Sequence, residues 1–181
     1  MRLLAFGFQI FILLGILGCS VQPELDEWEE KVINHPITIS VIGKPFNVSE
    51  TRGVTFTEYE KGTSNFDALW VEEGMVSYFS TTEGIEQLNE YLIAEKVIFF
   101  LGEENPYSNL APKLGIKGFE ERKTKNTTQA GYYFYKGNKN IVLGFVHVDD
   151  QIDGKSLYNS LLKETVLQVF QEGLKRTKSN L

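Results

Sequence analysis

The sequence predicts an α+β domain in which a mixed or mostly antiparallel sheet carries its helices on one face. Three observations predict it. Strand-length segments are grouped instead of alternating strictly with helices, residues 97–101 form an unbroken apolar run, and residues 156–174 carry a broad apolar stripe at helical spacing. The length of 181 residues fits one domain. With 18 Lys+Arg against 24 Asp+Glu the net charge is -6, which disfavours a nucleic-acid partner because phosphate binding needs clustered cations. Apolar residues at 42% and charged residues at 23% exclude general disorder and a polytopic membrane protein.

Residues 1–19, MRLLAFGFQIFILLGILGC, place one cation, Arg2, ahead of an uncharged apolar run ending at Gly18. That is the layout of an export signal. The run is shorter than the roughly 20 residues that a membrane-spanning helix needs. The single Cys of the chain follows it directly, and Ile16-Leu17-Gly18-Cys19 resembles the lipobox of bacterial lipoproteins. The resemblance implies cleavage before Cys19, a diacylglyceryl group on its sulfur and an acylated new amino terminus. Each buried methylene contributes about 0.8 kcal/mol, so two or three chains hold where one is marginal. Ser20 after the Cys resembles lipoproteins sent to the outer membrane in Gram-negative bacteria, which implies an outer-membrane position facing the periplasm there. The expected organisation is a signal peptide over 1–18, a lipid-anchored tether over 19–35 and one α+β domain over 36–181.

Within the tether, Leu25, Trp28, Val32 and Ile33 have the spacing of a short amphipathic helix. Its apolar side lays Trp28 on the membrane or a partner, or docks on the domain as part of a spacer. His35-Pro36 ends it, because a residue before Pro avoids the helical region. Residues 37–42 and 54–57 alternate as strands, and 65–71 and 75–79 read as two more, bent at Glu72-Glu73-Gly74. A helix is predicted over 83–95 with Thr82 as its cap, and a buried strand over 97–101. Pro106, Pro112 and Gly115 mark a loop with one helical turn near 110–114. Residues 130–135 and 140–147 form a hairpin. The final helix, 156–174, has Asp153 or Ser156 to cap it and Gly173 near its end, with Lys175, Arg176 and Lys178 suited to the negative end of its dipole.

Candidates for chemistry are few. Tyr132, Tyr133 and Tyr135, with Phe134 between them, form either an aromatic surface for a sugar or peptide or cross-strand packing in a core. Asp149, Gln151, Asp153 and Gly154 imitate the start of a calcium loop, but the twelfth position is Ser160 where a bidentate Glu is needed. The chain has two His, His35 and His147, and no nucleotide-binding or nucleophile-elbow pattern. The order helix 83–95, strand 97–101, hairpin 130–147, helix 156–174 is similar to the zincin arrangement. In bacterial envelope domains similar to zincins, carboxylate or amide residues replace the two metal-binding His, and here Glu164 and Gln168 hold the four-residue spacing. Thr165 stands where the catalytic Glu belongs, so the resemblance implies an inactive copy. The speculative polar site is Glu164, Gln168 and His147.

These readings predict a lipid-anchored envelope domain that binds a partner protein or supports an assembly, without catalysis, metal or cofactor. The alternatives are an envelope hydrolase of zincin-like descent and a small-ligand binder using the aromatic strand.

Overall fold

The apolar runs at 68–72 and 97–101 pair side by side as the two innermost strands of a six-stranded sheet. The structure, a computed structural model, describes residues 25–43, 51–102, 107–117, 127–149 and 153–179. The strands are β1 Ile37–Ile42, β2 Val54–Glu58, β3 Ala68–Glu72, β4 Val97–Leu101, β5 Thr127–Lys136 and β6 Ile141–Asp149. Their spatial order is β2-β1-β3-β4-β5-β6. The first four are mutually parallel, and β5 and β6 close the sheet as an antiparallel hairpin, so the sheet is mixed. The helices are α1 Glu27–Asn34, α2 Val76–Phe79, α3 Thr82–Ile93, α4 Tyr107–Lys113 and α5 Gly154–Ser179.

Strand periodicity sorts the side chains into two cores. Leu69, Val71, Ile98 and Phe100 face one way and pack with Val76 and Phe79 of α2, Leu88, Tyr91 and Leu92 of α3 and Leu110 of α4. Ala68, Trp70, Val97 and Phe99 face the other way, against Trp28 and Val32 of α1 and Tyr158, Leu161, Leu162 and Val166 of α5. The fold is α+β with a mixed sheet, as the sequence predicts, but helices cover both faces and not one. The cause is that β3 and β4 are apolar on both sides, so neither face is left to solvent.

Four local readings are corrected. Residues 75–79 form no strand: a 3₁₀ segment, Glu73–Met75, leads into α2, because buried Val76 and Phe79 lie three residues apart, a helical spacing. The cap of α3 is Thr81, whose hydroxyl accepts the Gly84 N–H at 3.0 Å, and not Thr82. Helix α5 runs through Gly173 to Ser179, since one Gly lowers helix propensity by only about 1 kcal/mol. The last part of the expected tether belongs to the domain: α1 starts after Asp26, whose N–H donates to Glu29 at 2.9 Å, and its Trp28 and Val32 are buried against the body. Trp28 is therefore core, while Leu25 stays exposed.

The indole N–H of Trp70 donates to the Thr165 hydroxyl at 3.0 Å, and that hydroxyl donates to the Leu161 carbonyl at 2.8 Å. All three residues are fully buried. Thr165→Val keeps the shape, removes the acceptor, and should cost about 1–3 kcal/mol in urea unfolding; adding Trp70→Phe removes the stranded donor, so the two losses should not add. Leu161→Ala should cost about 2–5 kcal/mol, and a loss under about 0.5 kcal/mol would mean that α5 does not seal this core.

Candidate functional site

On α5, Glu164 and Gln168 lie one turn apart, and one Glu164 oxygen, Oε1, accepts both the Gln168 amide at 2.7 Å and the Tyr133 hydroxyl at 2.8 Å. Burial first, and then the Glu164 carboxylate, push the Tyr133 phenol above its ordinary range, so it remains a donor. His147 does not join them. On β6 it shares a face with Phe145, whose ring lies 6.2 Å away and packs on the α3 side, whereas Val146 faces α5. The thickness of the sheet separates His147 from Glu164, so the speculative polar site is divided between two layers.

The aromatic surface is corrected in the same way. Tyr132 and Tyr133 are buried, stacked on Phe100 at 5.0 Å and on Phe99 at 4.8 Å, and Tyr135 lies half-buried over Tyr133 at 6.1 Å. The rings alternate between the two cores and form no common platform. Asp153 accepts the Ser156 N–H at 2.7 Å as the cap of α5, and that bond holds its carboxyl below the usual range. Residues 150–152 of the calcium-like loop, and Cys19 with the signal segment, lie outside the described residues. Among the described residues no three His, Cys, Asp or Glu side chains gather as a metal-ligating group.

A different site follows from strand order. The chain passes from β1 outward to β2 on one side, then crosses back to β3 and continues to β4 on the other. Connections diverging from two adjacent parallel strands leave a crevice at their carboxyl ends, the place where open α/β sheets bind ligands. Here that place lies between Gly43, after β1, and Glu72, the last residue of β3. Gly43 has φ +89°, and a Cβ on it would overlap the Glu72 carboxylate. Two constraints thus require glycine: a left-handed backbone and a carboxylate occupying the space of a side chain.

On the face of the sheet that α3 covers, a relay of hydrogen bonds runs from the carboxyl end of β2 to Tyr91, which lies near the amino ends of β3 and β4. The Tyr59 N–H donates to the Val41 carbonyl at 3.0 Å, and its hydroxyl lies 3.0 Å from that of Tyr91. The Gln87 amide donates to the Tyr91 hydroxyl at 3.0 Å and accepts from Tyr78 at 2.8 Å. Burial, then the bond to Tyr91, push the Tyr59 phenol upward, so it too stays protonated. Lys61 pairs with Glu83 and lies 5.9 Å from the Tyr78 ring centre. These phenols and the amide bond one another within the protein, with Gln87 and Tyr91 buried, so the relay fixes β2 against α3 and α2.

The sequence matches no known family model and no curated protein. Sequence reasoning missed this crevice because Glu72 reads as one charge in a polar bend. The legible signal was one strand followed by Gly43 and another that ends in Glu72.

Gly43→Ala should destabilise the fold by about 1–3 kcal/mol through left-handed strain and overlap. In that background Glu72→Ala should recover the overlap part and leave the strain. Equal losses with and without Glu72, measured by thermal unfolding, would show that the two residues are not in contact.

Proposed function

We propose that the chain is a lipid-anchored domain of the bacterial cell envelope, attached through Cys19, that binds a partner protein at the crevice between β1 and β3 and carries out no catalysis. In a Gram-negative cell it would face the periplasm from the outer membrane. The observation that carries the reading is the position of the only Cys, directly after an apolar segment too short to span a bilayer. Helix α1 begins at Glu27, eight residues beyond Cys19, so even a fully extended link reaches at most about 28 Å at roughly 3.5 Å per residue. The body is thereby kept close to the membrane, where a partner in the same compartment is met.

The case for binding over catalysis rests on how the candidate catalytic groups are engaged. Glu164 is saturated at one oxygen by Tyr133 and Gln168, Thr165 is buried beneath Trp70, and His147 lies across the sheet. A zincin-type hydrolase needs its ligands on one side of one helix, with a Glu between them to take the proton of water. The strand order favours the carboxyl ends of β1 and β3, where the connections diverge, as the place for recognition.

Two experiments test the proposal. Cys19→Ser should abolish incorporation of radiolabelled palmitate and release the protein from membranes; label retained by the variant would end the lipoprotein reading. A photo-crosslinking residue placed at Met75, exposed beside the crevice, should give a discrete adduct in intact cells, and one at exposed Ile93, at the far end of α3, should not. Equal adducts from both positions, or none from Met75, would remove the crevice as the binding site.

A further inference from the structure

The corner where α3 gives way to β4 carries the most exposed large apolar side chain among the described residues. Ile93, the last residue of α3, is 72% exposed, against 51% for Leu25 and 41% for Met75. Three lysines belong to the same corner. Continuing the β4–β5 register two positions beyond Ile98 with Phe134 sets Lys96 abreast of Lys136, on the face that α3 covers, because alternate residues share a side. Lys139 follows, exposed, in the turn that the Gly137 N–H closes on the Asn140 carbonyl at 2.9 Å. Like charges directly opposite on neighbouring strands are unfavourable, so the pair calls for an anion. The ion pairs among the described residues are Lys31 with Glu27 and Lys61 with Glu83, and none of these three lysines takes part. Lys96 lies 5.9 Å from the Phe66 ring centre instead.

We propose that this corner, Ile93 with Lys96, Lys136 and Lys139, rests on the anionic surface of the membrane that holds the lipid anchor, with Ile93 entering the headgroup layer. An exposed isoleucine beside unpaired cations matches the boundary between headgroups and acyl chains, where the apolar side chain leaves water and the lysines meet lipid phosphates. A soluble anion would satisfy the lysines and leave Ile93 in water. The inference rests on the attachment through Cys19.

The chain as a whole is negative, but the distribution of its charge decides how it faces a surface. Glu90 and Glu95, at the end of α3, reduce the positive excess of the corner without cancelling it. At the opposite ends of the strands, Glu58 closes β2, Glu72 closes β3 and Asp149 closes β6. An anionic leaflet repels that end while it attracts the lysines, so the crevice between β1 and β3 is turned away from the bilayer and toward a partner. Three lysines hold a free protein only weakly. The anchor supplies the proximity, and the patch has only to choose which way the body faces.

The test uses the full lipidated chain. Acylation of Cys19 leaves Ile93→Cys as the only free thiol, to which an environment-sensitive fluorophore is attached; Met75→Cys, beside the crevice, carries the same label and controls for the affinity of the dye itself. Each protein is reconstituted in vesicles of phosphatidylcholine alone or mixed with phosphatidylglycerol. The label at position 93 should shift to shorter wavelength on the anionic vesicles and lose the shift in high salt, while the label at position 75 stays in water on both. Lys136→Gln combined with Lys139→Gln should lower the fraction of position 93 in the lipid surface about tenfold or more, with the melting profile kept because neither lysine is ion-paired in the fold. No shift at position 93, an equal shift at position 75, or a shift that survives loss of both lysines would overturn the proposal. Failure of the anchor reads differently: the chain would not float with phosphatidylcholine vesicles, and both readings would fall, whereas an anchored chain that faces the other way floats and leaves position 93 in water.

Discussion

Burial of β3 and β4 on both faces is the constraint on which the rest of the structure depends. Two adjacent strands with almost every side chain withdrawn from water oblige the chain to supply a layer for each side. The α2, α3 and α4 helices supply one, and α1 with α5 the other. The requirement explains why α1, only eight residues long, is held by Trp28 and Val32 instead of remaining a spacer. It also explains why Trp70 is given an acceptor. A buried indole N–H without one would cost on the order of 1–3 kcal/mol, so α5 presents Thr165 at the point where it passes over the ring.

Much of this was legible in the sequence because periodicity is local. The alternation of 37–42, the apolar run of 97–101, the hairpin around 136–140 and the stripe of Leu161, Leu162 and Val166 each announce their own element, and each is present. What was not legible depends on which strand lies beside which. The order and direction of the strands leave no mark on any single strand, so the crevice at Gly43 and Glu72 was invisible; the apolar run of 97–101 did signal cover on both faces, but not which helices supply it. The same limit governed the candidate site. Helical spacing placed Glu164 and Gln168 together correctly, but only the sheet, as a partition, decides that His147 lies behind it. The tyrosines of β5 misled as a surface because alternation sends neighbouring rings to opposite cores.

The two faces of the sheet carry different kinds of polar organisation. Over one face, phenols and an amide bond one another in sequence from β2 through α3 to α2, fixing these elements on the sheet. On α5 the donors converge on a single carboxylate oxygen and settle its charge internally. The first arrangement joins a strand to two helices, and the second secures one helix to one strand.

The irregularity between Gln129 and Gly131 gives β5 something like a reading frame. Counting back from Tyr133 along an uninterrupted strand would put Gln129 on the α5 side; the extra residue, Ala130, packs there instead, and Gln129 pairs with His147 on the opposite side. Loss of that one residue would keep the pairs above and below it matched and merely straighten the strand. Loss of one residue anywhere else along the hairpin would exchange inside for outside in everything beyond it. Within the two strands, a one-residue change of length is therefore absorbed at the bend in the middle and nowhere else along them.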